Sequence, residues 1–164
     1  MSGTIYGNHP MWQRKQTIFL ALSGACMVLM IFFPAWQAVD MDIEKTLYPL
    51  HYTIKDGDVR NTVYFPYALS AILAVAATTI AFIEIGKFEN RMLQIKLGAL
   101  NSLVMAGSMF SLVYFATELI KANQLAGQYG IALWLPPVAL VSNMIANRFI
   151  RRDEKLVRDS ERIR

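Results

Sequence analysis

The hydrophobic pattern of the chain is divided into long stretches that contain no charged residue. Four such windows, of 23, 23, 21 and 26 residues, cover 17–39, 61–83, 97–117 and 122–147. A bilayer core about 30 Å thick is crossed by about 20 mostly apolar residues in an α-helix, and each window supplies that length. The pattern therefore predicts four transmembrane helices, over about 17–36, 65–85, 98–120 and 131–150.

The predicted fold is an all-α membrane protein that forms one four-helix transmembrane domain over 1–164, with an outer loop at 37–64 and a cytoplasmic tail at 151–164. Residues that favour β-structure flank Asp56-Gly57 in this loop, so we expect a short β-hairpin there. The first window is interpreted as an uncleaved anchor. The alternative, a cleaved signal peptide, fits less well because Trp36 stands where a small residue is needed.

Composition excludes some classes of protein and indicates the orientation of the chain in the membrane. The chain has 164 residues, of which 55% are hydrophobic, with 16 Lys and Arg against 12 Asp and Glu. The segments between the windows are too short to form an independent domain, which argues against a soluble enzyme or a nucleic-acid-binding protein. If both termini are cytoplasmic, 12 of the 16 basic residues lie inside. The positive-inside rule therefore predicts a multi-pass protein with both termini in the cytoplasm.

Small residues recur every four positions in the second and third windows. They are Ser70, Ala74 and Thr78, and Gly98, Ser102 and Ala106. Because small side chains let helix backbones approach closely in a membrane, these residues predict a tight pair of helices. Asn101 and Asn143 are expected to form hydrogen bonds between helices. The alternative for both is a substrate-binding role.

Two prolines interrupt the fourth window. A kinked helix that begins near Gly130 is preferred, because a helix that starts at Pro136 would be short for a membrane span. The alternative keeps Pro136 and Pro137 in the first helical turn, where proline is tolerated.

The C-terminal tail has the pattern of an amphipathic helix. Its apolar and basic positions are Phe149, Arg151, Arg152, Leu156, Arg158 and Ile163. We expect this extension to dock on the anionic headgroups of membrane lipids. The alternative is docking to another membrane subunit or to a second copy of the chain.

Charged residues near the windows are expected to have structural rather than catalytic or transport roles. Glu84 with Lys87, and Glu118 with Lys121, are expected to form ion pairs near the headgroups rather than to carry protons. The acidic residues of the outer loop are expected to be solvated, the alternative being a divalent-ion site. They are Asp40, Asp42, Glu44, Asp56 and Asp58.

No residue pattern indicates a catalytic, cofactor or metal site. His9 and His51 both lie outside the windows, and Cys26 is the only cysteine. Gly-rich phosphate loops, nucleophile elbows and paired-histidine metal motifs are absent from the sequence. An enzyme would have to use the outer-loop carboxylates and His51.

Both ends of the chain resemble those of a known family. The run from Met11 to Thr17, which leads into an apolar stretch, and the run from Arg151 to Arg158 resemble an integral membrane family of Bacteroidota, domain of unknown function 4293. The resemblance covers 11–164. It implies a location in the inner membrane of a Gram-negative bacterium, and it implies no activity.

The expected function is that of a non-catalytic scaffold or accessory subunit in a larger membrane assembly. Its expected partners are membrane lipids and other membrane subunits or a second copy, and not nucleic acid. A small transporter or channel that acts as an oligomer is the alternative. A membrane enzyme that uses outer-loop carboxylates ranks third.

Overall fold

The computed structural model describes residues 15–41, 43–88, 90–125 and 127–162. Its elements follow the order α1 (Lys15–Phe32), β1 (Trp36–Asp40), β2 (Ile43–Leu47), β3 (Tyr52–Asp56), β4 (Val59–Val63), α2 (Leu69–Gly86), α3 (Arg91–Asn123), β5 (Gln128–Tyr129), a 3₁₀ turn (Ile131–Leu133) and α4 (Leu135–Arg162). The helices pack side by side, with α1 and α3 each in contact with both α2 and α4.

Local signals explain where α3 begins and ends. At the start of α3, the side chain of Asn90 accepts a hydrogen bond from the backbone N–H of Leu93 at 3.0 Å, and so caps the helix. At its end, Gln124 adopts the left-handed conformation that commonly terminates helices. A short turn joins α2 to α3, so the two helices run antiparallel.

Within the described residues, two helices are long and apolar enough to cross a membrane, namely α2 and α3. The prediction of four transmembrane helices is therefore wrong. The apolar part of α1 covers only Gln16–Phe32. The helix does not continue, because Pro34 disfavours a helical conformation at Phe33 and strand β1 begins at Trp36. The apolar half of α4 ends at Arg148, and the rest of that helix consists of the charged tail.

The all-α fold class is also wrong, because the segment before α2 forms most of a five-stranded antiparallel sheet. The strand order is β4-β3-β2-β1-β5. The expected hairpin is present as β3 and β4, with Asp56 opposite Val59 and Gly57 at a positive φ of 54° in the turn. The strand β5 lies between α3 and α4 in the chain and pairs with the first residues of β1, Trp36 with Tyr129 and Gln37 with Gln128.

Buried contacts fix the sheet against one end of the helices, which we call the sheet end. Trp36 in β1 is fully buried, in the same apolar core as Leu119 of α3 and Ala132 of the 3₁₀ turn. The backbone N–H of Ala71 in α2 donates to the carbonyl of Pro49 at 3.2 Å. The ammonium group of Lys45 donates to Oδ1 of Asn123 at 2.8 Å, which joins β2 to the end of α3.

The helix α4 begins at Leu135, directly after the 3₁₀ turn. The preferred interpretation of a kinked helix from Gly130 is therefore wrong. Pro136 and Pro137 lie in the first turn, where a missing N–H costs no intrahelical hydrogen bond.

Candidate functional site: the polar interior at the basic end

The end of the helices opposite the sheet contains the start of α1, the turn between α2 and α3, and the second half of α4. We call it the basic end, because its exposed or partly exposed side chains include Lys87, Arg91, Lys96, Arg148 and Arg151. Just inside it lies a group of buried polar side chains that we call the polar interior. Its members are Glu84, Gln94, Asn101, Asn143 and Asn147.

Glu84 is the most unusual member of the polar interior. Its side chain is 0% exposed, and neither carboxylate oxygen has a hydrogen-bond partner among the described residues. The expected ion pair with Lys87 is therefore wrong, whereas the pair of Glu118 with Lys121 is confirmed at 3.2 Å. The sequence favours the ion pair because Glu84 lies just outside a charge-free window, where charged side chains usually extend to the headgroups.

Two side chains of α3 face the same interior. Nε2 of Gln94 donates to the backbone carbonyl of Glu84 at 2.8 Å, while its buried Oε1 has no partner in the described part of the chain. Asn101 is fully buried, and neither Oδ1 nor Nδ2 is paired in the described structure. The expected hydrogen bond of Asn101 between helices is therefore not formed.

The helix α4 completes the polar interior against a small residue of α3. Nδ2 of Asn143 donates to the carbonyl of Gly98 and to the hydroxyl of Ser102, both at 2.9 Å, as expected for a bond between helices. A Cβ atom on Gly98 would collide with the amide of Asn147. Glycine at position 98 therefore leaves the space that the amide of Asn147 occupies, and a larger residue would displace that amide.

The predicted small residues do not all contact one another. Ser70 of α2 meets α3 through Ser111, hydroxyl to hydroxyl at 3.0 Å, and its carbonyl accepts from Ser108 at 2.9 Å. Ala74 and Thr78 are buried, and Thr78 lies near the carbonyl of Gly24 in α1, at 3.5 Å.

On α3, Gly98 and Ser102 contact α4 rather than α2, and Ala106 is exposed. The buried face of α3 is instead a run spaced by three and four residues. It consists of Gln94, Gly98, Asn101, Met105, Ser108 and Leu112. This spacing of three and four residues is the sequence signal that places Gln94 on the buried face of α3.

Oxygen atoms dominate the unpaired groups of the polar interior. They are the carboxylate oxygens of Glu84, Oε1 of Gln94, and Oδ1 of Asn101, Asn143 and Asn147. An unpaired buried polar group costs about 1–3 kcal/mol, and buried polar groups in proteins are normally satisfied by a partner, water or an ion. Carboxylate and amide oxygens are suited to water and to hard cations.

A groove opens between α3 and α4 beside the polar interior, and we call it the α3–α4 groove. It has a volume of about 470 Å³. Its lining residues are Ala99, Ser102, Met144, Asn147, Arg148 and Arg151. Of the tail positions predicted for docking, Arg151 lines this groove.

The other tail positions are distributed differently. Phe149 stacks on Phe19 of α1 with ring centroids 5.8 Å apart, so it contributes to helix packing rather than to docking. Arg152, Leu156 and Arg158 are exposed on the last turns of α4, and Ile163 lies outside the described residues.

A second concave surface lies on the sheet. It has a volume of about 400 Å³ and is lined by Gln37, Glu44, Thr46, Tyr48, His51, Thr53, Lys55 and Arg60. His51 stacks on Tyr48 with ring centroids 5.0 Å apart, and its buried Nδ1 has no hydrogen-bond partner among the residues that the structure describes. Burial, and then the positive charge of Arg60, lower the pKa of His51. This favours a neutral imidazole.

The outer-loop acids do not assemble into a metal site within the described part of the chain, where no group of three or more His, Cys, Asp or Glu could hold an ion. Glu44 approaches Lys55 at 3.6 Å, and Asp40 approaches Lys45 at 4.0 Å. Asp56 and Asp58 are exposed, and Asp42 lies outside the described residues.

Comparison with known proteins agrees with the resemblance seen at the two ends of the chain. No curated protein matches this sequence. The model of one family, described as a domain of unknown function (DUF4293), matches residues 12–163. The match includes every described residue of the helices, the sheet and the polar interior. The chain therefore belongs to the DUF4293 family.

Proposed function

We propose that this protein is a multi-pass protein of the bacterial inner membrane, in which α2 and α3 cross the bilayer, and that it serves as a non-catalytic accessory subunit of a larger assembly. The observation that carries the proposal is the outward position of large apolar side chains. Phe82, Leu103 and Phe110 are 65%, 71% and 74% exposed, whereas the interior contains alanines, serines and amides. Contact of such apolar outer faces with the hydrocarbon of a bilayer is favourable, whereas their exposure to water is unfavourable.

The degree of burial supports a membrane helix over the core helix of a soluble protein. Only 39% of the apolar stretch of α2 and 33% of that of α3 is buried. The 18 residues of α2 give about 27 Å of helix, close to the thickness of the hydrocarbon core. The 33 residues of α3 extend beyond it, with charged residues near both ends.

The charges support an orientation. Lys87, Arg91 and Lys96 lie in or next to the turn between α2 and α3, at the basic end. By the positive-inside rule this end faces the cytoplasm and the sheet faces outward.

The accessory role draws support from the open edge of the sheet. The strand β4 lies at the edge of the five-stranded sheet, and every one of its residues is exposed. An exposed edge strand offers unpaired backbone donors and acceptors to a strand of another protein. We expect a membrane subunit that extends above the bilayer to bind there.

Purification from membranes in mild detergent tests this role. Chains that co-purify with the protein should be lost when Val59→Lys and Val63→Lys place charges on β4. Val39→Lys adds one such charge at an exposed position of β1 and should leave the complex intact. A protein that purifies alone, or a complex that the β4 variant retains, contradicts the accessory role.

The polar interior favours a second candidate function, cation passage by an oligomer. The unpaired oxygens of Glu84, Gln94 and Asn101 support it, because they would replace part of a hydration shell. In proteoliposomes, Glu84→Gln and Asn101→Leu should abolish the flux of protons or Na⁺, and Glu118→Gln should not. Unchanged flux in correctly folded Glu84→Gln protein excludes this function.

A further inference from the structure

We propose that the α3–α4 groove binds the headgroup of an anionic phospholipid. This inference rests on the proposed membrane location. The groove lies toward the basic end, between α3 and α4, near the level where α3 would leave the bilayer. The groove combines two positive charges, a buried hydrogen-bond acceptor and an apolar wall. Each of these matches a different part of a lipid molecule.

The positive charges come from Arg148 and Arg151, which are three residues apart and share one side of α4. Both are exposed, and no carboxylate of the described residues lies within salt-bridge distance of either, although Asp153 and Glu154 occur in the following turn. A guanidinium group binds phosphate oxygens in a bidentate geometry. The pair is thus available for a phosphodiester.

The polar floor of the groove is formed by Asn147 and Ser102. Asn147 is only 9% exposed, and its Oδ1 has no hydrogen-bond partner in the described structure. The hydroxyl of Ser102 already donates to the carbonyl of Gly98 and accepts from Asn143. This polar floor suits a headgroup that carries hydroxyl groups beside its phosphate, such as the glycerol hydroxyls of phosphatidylglycerol.

The remaining wall is apolar and faces outward. Met144 is exposed, and Ala99 on α3 leaves space beside it. An acyl chain that leaves the headgroup would lie along these side chains toward the bilayer. A free inorganic anion would use the arginines alone and leave this wall uncovered, so the groove fits a lipid better than a soluble phosphate. Basic pockets between membrane helices on the cytoplasmic side commonly hold anionic lipid headgroups.

Native mass spectrometry of the full chain in detergent tests this site. Phosphatidylglycerol and phosphatidylcholine with identical acyl chains are added in turn, and bound lipid is counted. The wild type should bind phosphatidylglycerol preferentially. The double variant Arg148→Gln, Arg151→Gln should bind it about tenfold more weakly. The matched control, Arg60→Gln with Lys87→Gln, removes the same charge from exposed positions outside the groove and should bind as the wild type does.

Several outcomes would overturn the lipid site. They are equal binding of the two lipids, full binding by the groove variant, an equal loss in the control variant, and displacement of phosphatidylglycerol by inorganic phosphate. Size-exclusion chromatography and circular dichroism establish that the variants are folded. Carbonate extraction of membranes from the same strains separates the two proposals. Protein released by carbonate refutes the membrane location, whereas retained protein without lipid selectivity refutes only the lipid site.

Discussion

At the scale of single residues, Glu84 places among packed helices a carboxyl group that has no hydrogen-bond partner in the described residues. Replacing it by Leu removes two unsatisfied oxygens at similar volume, and we expect the free energy of unfolding to rise by about 1–3 kcal/mol. Thermal unfolding in detergent measures the change. Glu118→Leu, at an exposed acid paired with Lys121, should shift stability by about 0.5 kcal/mol or less. A Glu84→Leu protein that is less stable than the wild type in every buffer contradicts this expectation. A loss of stability that appears only with Na⁺ present would instead support cation passage.

Gly98 allows a test of the contact between α3 and α4. Gly98→Ala should destabilise the protein by about 1–3 kcal/mol, because the added Cβ displaces the amide of Asn147. Gly107→Ala, in the same helix, brings its Cβ only to 3.8 Å from Leu73 and should be neutral or stabilising. Combining Gly98→Ala with Asn147→Ala should recover part of the loss in a double-mutant cycle. Additive effects of the two substitutions would show that the contact is unimportant.

At the scale of elements, the sheet should respond to pH through His51. Burial and Arg60 lower the pKa of this imidazole from its ordinary 6.5, so the folded protein binds fewer protons than the unfolded chain. The resulting stability is present above about pH 6.5 and is lost as the pH falls below it. Unfolding followed at pH 7.5 and 5.5 should reveal this loss in the wild type. His51→Phe, which keeps an aromatic ring against Tyr48, should reduce it, and an unchanged pH dependence would contradict the role of His51.

The secondary-structure elements differ in how well the sequence predicts them. Long charge-free runs predicted α2 and α3, and Asp56-Gly57 predicted the hairpin, because these signals are local. Residues 36–39 of β1 lie inside the first charge-free window, which concealed the alternation of buried Trp36 and Ala38 with exposed Gln37 and Val39. Its pairing with β5 joins residues about ninety positions apart, and no local pattern reports such a contact.

The candidate site was only partly predictable for a related reason. The sequence predicts Gly98, Ser102 and Asn143 as packing residues, and these three residues do contact one another. Their partner helix was misjudged, because small-residue spacing marks a face of a helix but does not identify the helix that packs against it. Glu84 and Gln94 lie outside the charge-free windows, so the windows could not place them in the interior.

At the scale of the whole molecule, the two ends of the helices should lie on opposite sides of the membrane, and the single cysteine makes this testable. Cys26 is buried, so a membrane-impermeant maleimide should not label wild-type protein in intact spheroplasts. Thr62→Cys places a thiol on β4 at the sheet end, and Lys87→Cys places one at the basic end, both at exposed positions. We expect labelling of the first and not of the second, with both labelled after detergent is added. Equal labelling before detergent refutes the proposed membrane crossing, and the reverse pattern refutes the orientation that the basic residues support.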